Sequence, residues 1–362
     1  MRVPLEEQKS FFCFDEENAM NFTDTPYHQP NRRNAMPTDQ PACCHHQKKL
    51  IALSRYFVSV CLSLLVSSGP TIAAPAFQPF FLMGSGKLHL KNLHNNKTAR
   101  VNLRNRDGSL NDAAFTDVDR IFGFPTAEKG EHISPRLLFM LSYFADHAAP
   151  GRMINIESGY RSPDYNDKIR KKGANAARTS THLDGMALDF WIEGVNGKQL
   201  WQTVREKDCC GVGHYGGKSI HLDSGRPRFW EAATSGTKSK EPDYNRHIYL
   251  STDFDRYAPK AKVRLTLSGI STFGFGVKSM VHLYNTADTA KPIDQVRIDT
   301  ADTSECLILN DRRASRFIYI AVPAGFPTGR YRAKLDFCRK PFTQMPAEVL
   351  SNEIELIKTA SE

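Results

Sequence analysis

From Phe77 onward the apolar residues follow two regimes. Up to about Ala233 helical and strand periods mix, and from about Arg246 the pattern is almost wholly strand-like. In the first regime, Asn111 to Ile121 predicts a short helix capped by Asn111. Ser134-Pro135 opens a second, with Leu137, Leu138, Leu141 and Phe144 on one face at helical spacing, which is core packing. "MINIESGY" (153–160) alternates as a strand ending on a glycine turn. "SPDYNDKIRKKG" (162–173) predicts a helix with Ser162 as cap, Pro163 in its first turn and Gly173 as stop. "MALDFWI" (186–192) reads as a buried strand and "NGKQLWQTVREK" (196–207) as an amphipathic helix. "GVGHYGGKSIHLDSG" (211–225) reads as a hairpin turning at Gly216-Gly217. The order is α+β with a small antiparallel sheet.

In the second regime the stretches 262–269, 279–285, 295–299, 306–310, 316–323, 329–338 and 352–357 make about seven short strands at sandwich-like intervals. Tyr331, Ala333, Leu335 and Phe337 alternate with charged residues, as one buried face requires. This predicts an all-β sandwich of immunoglobulin-like type over 246–362, used for binding or positioning or serving as a structural appendage. Between the regimes "TSGTKSKEP" (234–242) is small, polar and ends in proline, so 234–245 reads as a linker after a domain at 77–233.

The first 76 residues differ. Residues 1–49 are polar and show no sustained apolar period. Then Lys48, Lys49 and Arg55 flank the apolar stretch Tyr56 to Val66, and Ala74-Pro75-Ala76 has the form of a cleavage site, so 50–76 reads as a secretory signal. The apolar run is short and broken at Gly69-Pro70, which argues against a spanning helix, although an uncleaved signal would anchor the chain to a membrane. A true start at Met36 would account for the extension. Export to the periplasm or cell envelope leaves Cys209, Cys210, Cys306 and Cys338 in an oxidising compartment. Cys306 and Cys338 suit a bridge, a bond between the adjacent Cys209 and Cys210 would be strained, and none of these spacings makes a zinc–thiolate cluster.

With 40% hydrophobic and 24% charged residues, the chain is globular rather than disordered. Residues 1–76 carry seven basic and seven acidic side chains, so the remainder keeps the whole net charge of +9. A basic exported protein meets acidic partners in the cell wall or at the membrane surface. No basic run is interleaved with aromatics in the manner of a stacking platform, which sets nucleic acid aside.

The stretch "TSTHLDGMALDF" (179–190) sets His182 and Asp189 seven residues apart, and "KSIHLDSG" (218–225) offers His221 on a second strand. A catalytic zinc ion takes three ligands from His, Asp and Glu and leaves a position for water. These three supply such a set if the two strands pair, with Gly185 letting the chain bend between the first two. Singly, His182 also reads as a loop histidine, Asp189 as a capping or salt-bridged carboxylate and His221 as a half-buried strand residue. A carboxylate inside the apolar run 186–192 is the harder one to dismiss, because burying an unpaired charge is costly unless a metal or cation meets it.

"SGYRS" (158–162), "STHLDGMALD" (180–189) and "GVGHYGGKSIHLDSGRPRFW" (211–230) together resemble the YcbK-like murein endopeptidases. These are a branch of the zinc peptidases that includes the D-alanyl-D-alanine carboxypeptidases and shares the hedgehog and lysostaphin-type site. The resemblance covers roughly residues 78–231. It implies a hedgehog/DD-peptidase-like fold, zinc held by His182, Asp189 and His221, and Arg161 facing the substrate. Many relatives place an acid or a histidine just before the last ligand as the general base, but Lys218 and Ser219 stand there in this chain. Asp223, two residues past His221 and so on the same strand face, is the first substitute, and His214 across the hairpin the second. A zinc ion activates a water for attack on a peptide carbonyl near pH 7, and glycan-linked peptides rich in free carboxylates suit a basic groove. The implied function is a monomeric zinc peptidase acting on peptidoglycan cross-links or stem peptides. The alternative is a noncatalytic wall-binding protein that keeps the fold without an effective base.

Overall fold

The computed structural model describes residues 77–124, 131–174, 176–235, 242–288 and 290–358. The polar extension 1–49, the signal segment 50–76 with Ala74-Pro75-Ala76, the alternative start Met36, and positions 236–241 of the linker lie outside the described residues. The described residues fall within one compact unit, Thr71–Glu362, and hold two hydrophobic clusters. Among them no helix is long and apolar enough to cross a membrane.

The first cluster is built from β1 (Lys87–Asn92), β2 (Thr98–Asn102), α1 (Asp112–Phe122), α2 (Pro135–Ala148), β3 (Ile154–Ser158), α3 (Pro163–Lys171), β4 (Ala187–Ile192), α4 (Gly197–Glu206), β5 (Gly211–His214), β6 (Ile220–Asp223) and β7 (Arg228–Glu231). The helices start where a short polar side chain takes up an orphan amide. Asn111 accepts from Ala114 N, Ser134 from Leu137 N, Ser162 from Tyr165 N and Asn196 from Gln199 N. Gly216 and Gly217, both at positive φ, make the β5–β6 turn, a conformation that glycine adopts freely. Along the strands Ile154, Ile156, Leu188, Phe190, Ile192, Ile220 and Leu222 join Leu137, Leu138, Leu141, Phe144, Leu200, Trp201 and Val204 of the helices in one core. Because side chains alternate along a strand, that burial turns Asp189, His221 and Asp223 to the opposite face of the sheet.

The sheet is larger than the small antiparallel one expected. It has seven strands in the order β2-β1-β3-β4-β6-β5-β7 and is mixed. β1 runs parallel to β3 because the chain returns through α1 and α2, and β7 runs parallel to β5 at the other edge.

The second cluster comprises β8 (Tyr249–Thr252), β9 (Arg256–Tyr257), β10 (Lys262–Ser268), β11 (Phe275–Asn285), β12 (Asp294–Arg297), β13 (Cys306–Leu309), the short helix α5 (Arg312–Arg316), β14 (Ile318–Ala321), β15 (Gly329–Arg339), β16 (Glu348–Leu350) and β17 (Ile354–Leu356). β14-β10-β8 form a three-stranded sheet. β12-β11-β15-β17-β9, with β13 on β11 and β16 on β15, form a seven-stranded one. Leu250, Leu265 and Ile320 of the first sheet pack in one core with Val281, Leu335 and Ile354 of the second. A disulfide joins Cys306 of β13 to Cys338 of β15, with Cα atoms 5.9 Å apart. Cys209 and Cys210 are also bonded, the pairing that the sequence set aside as strained.

The two clusters are tied by polar contacts at buried positions. Arg136 of α2 pairs with Asp255 at 2.7 Å and donates to the carbonyls of Thr252 and Phe254. Asp184 pairs with Arg312 of α5, and Glu131 with Arg316.

Candidate metal centre

Two turns and two strands place the site. The turn after β3 carries Ser158 to Arg161, and a single 3-10 turn, Thr181–Asp184, carries His182. Ser180 caps the latter by accepting from His182 N, and Gly185 closes it at φ +63°. A Cβ at Gly185 would stand 2.5 Å from the ring of Phe124, so this bend needs glycine for both space and backbone. The turns are zipped together. His182 O accepts from Arg161 N at 3.2 Å, and His182 Nδ1 donates to Gly159 O at 2.6 Å. β4 lies between β3 and β6 with Ser158 opposite Asp189 and Asp189 opposite His221, which puts the carboxylate directly across from the second imidazole.

The fold thus brings His182, Asp189 and His221 together. All three are buried, and one ligand atom from each lies within 4.8 Å of the others. Since His182 Nδ1 is committed as a donor, its Nε2 carries the lone pair. That atom is buried, has no hydrogen-bond partner and stands 3.3 Å from Asp189 Oδ2. His221 Nε2 donates to Asp223 Oδ2 at 2.8 Å, leaving Nδ1 toward Asp189 Oδ1 at 2.9 Å. Two imidazole nitrogens and a carboxylate aimed at one another in a dry setting suit a divalent cation better than they suit each other, and two N and one O form a donor set that zinc accepts.

The charges around His182 and Asp189 agree with this. Burial holds the His182 pKa below its ordinary value despite Asp189, which keeps the ring neutral and able to ligate. Burial alone would raise Asp189, but His182 and His221 outweigh it and hold the carboxyl well below the usual range. Burial opposes the charge of His221, and Asp189 and Asp223 reverse that and raise its pKa.

Arg161 lies at the same place. Its Nη2 donates to Asp189 Oδ2 at 2.6 Å and its Nε to Ser158, and it lines a cleft of about 120 Å³ with His182, His221, Tyr215 and Trp230. The two residues expected as bases do not fit that role. Asp223 shares the face of His221 but stands behind the ring, against Nε2. It is fully buried and held at both oxygens, by Arg228 at 2.7 and 3.0 Å and by Gly225 N at 2.9 Å. Burial would raise its pKa, yet Arg228 and His221 force it well below the usual carboxylate range, so it cannot collect a proton at neutral pH. Its position is that of a carboxylate orienting a ligating histidine. His214 is on the wrong face. The register sets Gly213, not His214, opposite His221, and the His214 ring lies 6.3 Å from that of Trp201 in α4.

Several residues had no signal in the motif reading. Tyr215 donates its phenol to Asp189 Oδ1 at 3.1 Å, and burial with that carboxylate pushes its pKa up, so it stays a donor. Trp230 packs 5.0 Å from the His221 ring, which is possible because a Cβ at Gly213 would meet its indole at 2.5 Å. Ser219, two residues before His221, donates to Glu157 Oε1 at 2.7 Å. Ser219 stands at the place the resemblance marks for the base, whereas Glu157 comes from another strand.

The profile of the family described as "Peptidoglycan L,D-endopeptidase MepK" matches residues 83–230. Residues 83–230 are thus similar to that murein endopeptidase family. The chain is 27% identical over 160 residues to "Peptidoglycan L,D-endopeptidase MepK" of Escherichia coli strain K12, covering 44% of this chain and 87% of that protein. It is 34% identical over 79 residues to the "Probable peptidoglycan L,D-endopeptidase MepK" of Haemophilus influenzae, covering 22% and 42%. Among solved structures, the Bacteroides ovatus mixed-linkage glucan utilization locus protein SGBP-B, in complex with a mixed-linkage heptasaccharide, aligns at 13% identity and a TM-score of 0.17. That alignment covers 47% of this chain and 29% of that one, and its TM-score is too low to bear on fold or ligand.

Proposed function

We propose that this chain is an exported zinc peptidase that hydrolyses peptide bonds in the cross-links or stem peptides of peptidoglycan. The observation that carries the reading is the buried His182–Asp189–His221 set with His182 Nε2 left unpartnered, within the segment that matches a family named for peptidoglycan endopeptidases. Zinc held there would supply an activated water and polarise the scissile carbonyl.

The chain's own residues divide the remaining work. Asp223 and Gly159 fix the two imidazoles in the tautomers that ligate. Arg161 and Tyr215, both cleft-lining donors beside Asp189, hold a substrate carboxylate or the developing oxyanion. The proton acceptor is Glu157. It sits where the β3 register slips between Ile156 and Ser158, and Ser219 ties its carboxylate to the position that relatives fill with an acid or a histidine.

In the same reading 50–76 is a signal and 77–233 a peptidase domain. The linker 234–245 leads to an immunoglobulin-like sandwich at 246–362, and the chain is a monomer. Tyr331 Oη donates to Pro327 O four residues upstream, in the manner of the tyrosine corner of such sandwiches.

Digestion of purified sacculi with the chain starting at Phe77 tests the proposal, and released muropeptides with newly cut peptide bonds are the expected result. A protein that binds zinc and sediments with sacculi but releases nothing across neutral pH would decide for the second reading, a wall-binding protein. That reading draws support from the exclusion of Asp223 and His214 as bases.

A further inference from the structure

Next to the metal cleft lies a second, larger cavity of about 320 Å³, and the two share Thr179, Thr181 and Arg228 in their walls. Its lining is strongly basic. Arg170, Arg178, Arg226, Arg228 and Arg246 line it, and among the described residues the lining holds a single carboxylate, Asp243. That carboxylate is taken by His247 at 2.6 Å. Arg228 is neutralised by Asp223, and Arg170 has only a surface partner in Asp167. Arg178 and Arg226, both exposed, make no hydrogen bond or ion pair with their side chains among the described residues. The walls come from both clusters. The turn before His182 and the loop after β6 form one side, while Arg246, His247, Tyr249 and Ser268 form the other.

Two guanidiniums at one cavity with no acid against them among the described residues, those of Arg178 and Arg226, gain from an anion placed between them. Their planar forks match carboxylates in bidentate fashion. The volume is at the lower end of the range for small-molecule sites, enough for part of a peptide and too small for a folded partner. We propose that this cavity is an anion subsite continuous with the metal cleft, which takes free carboxylates of an acidic stem peptide beside the scissile bond, with Arg178 and Arg226 as the recognising residues. The assignment rests on the peptidase reading for the identity of the peptide. It also gives the second cluster a task, as one wall of the substrate channel.

The test is calorimetric titration of the full chain with L-alanyl-γ-D-glutamyl-meso-diaminopimelate and with the same peptide amidated at its free carboxylates. The acid form is expected to bind about tenfold tighter or more. Added salt should weaken the acid form alone. The double variant Arg178→Gln/Arg226→Gln should bring the acid form down to the affinity of the amide while leaving amide binding and zinc content unchanged. Equal affinity for the two peptides, or an undiminished acid preference in the double variant, would overturn the proposal. Binding needs no turnover, so the two readings fail separately. Arginine-dependent binding without release from sacculi would sink the peptidase and leave the subsite. Cleavage of sacculi with no carboxylate preference would do the reverse.

Discussion

A histidine ligates through whichever nitrogen its other partner leaves free, and in this site each ring has a different arrangement. His182 is turned by a backbone carbonyl and presents Nε2; His221 is turned by a carboxylate and presents Nδ1. About one zinc per chain is expected, and His182→Ala or His221→Ala should each abolish most of it in metal analysis of the dialysed protein; full occupancy in both would sink the ligand set. Asp223→Asn separates orientation from proton transfer. As a residue behind the ligand it should weaken zinc about 10- to 100-fold in a chelator competition. A turnover loss at unchanged zinc affinity would instead restore it as a base. Glu157→Gln is the converse case, with zinc retained and turnover lowered about 100-fold or more. The His182–Asp189–His221 cluster was legible because a carboxylate in an apolar strand and two histidines at fixed offsets are local signals. The proposed acceptor was not, because Glu157 meets Ser219 across 62 positions of sequence and only in the fold.

Among elements, β4 was readable and β1 was not, for the same reason. β4 is apolar at almost every position, whereas β1 buries only Leu88 and Leu90 in the otherwise polar run "KLHLKN", too little for a period to register. β9 and β16 have two and three residues and exist only through their partners. With the edge strands unread, the sheet looked small and antiparallel. The His214 expectation failed at this scale too, since a one-residue difference on a strand changes the face. Gly213 shows how closely the site face is packed, because the strand opposite His221 must be bare for Trp230 to cover it. Gly213→Ala should cost about 1–3 kcal/mol in urea unfolding and change the Trp230 environment, as overpacking does. A variant with unchanged stability and unchanged tryptophan fluorescence would mean that the indole does not rest on this face.

At the scale of the whole molecule, the strand-rich half reaches the candidate metal site through the turn that carries His182. Asp184 ends the 3-10 turn that carries His182. Its side chain is buried, pairs with Arg312, lies 3.7 Å from Arg316 and accepts from Gly269 N at 3.3 Å. Arg316 also donates to Leu183 O in the same turn. The turn is therefore held from one side by Ser180 and Gly159 of its own cluster and from the other by guanidiniums of α5. Removing Arg312 leaves the buried Asp184 carboxylate with only Arg316 and Gly269 N against it, which costs about 1–3 kcal/mol, more than a surface pair could. Arg312→Ala should accordingly lower stability by an amount of that order and also weaken zinc, because the turn that aims His182 loses its outer support. Asp184→Ala should do likewise. Asp184→Ala/Arg312→Ala together should cost clearly less than the sum, with a coupling of about 0.5–3 kcal/mol. The measurement is a double-mutant cycle on the full chain, run once by denaturant unfolding and once by zinc competition. Additive losses in both would show that the strand-rich half stands beside the site without bracing it. Coupling in the zinc cycle would mean that part of the metal affinity is set by residues more than a hundred positions away from the ligand they support.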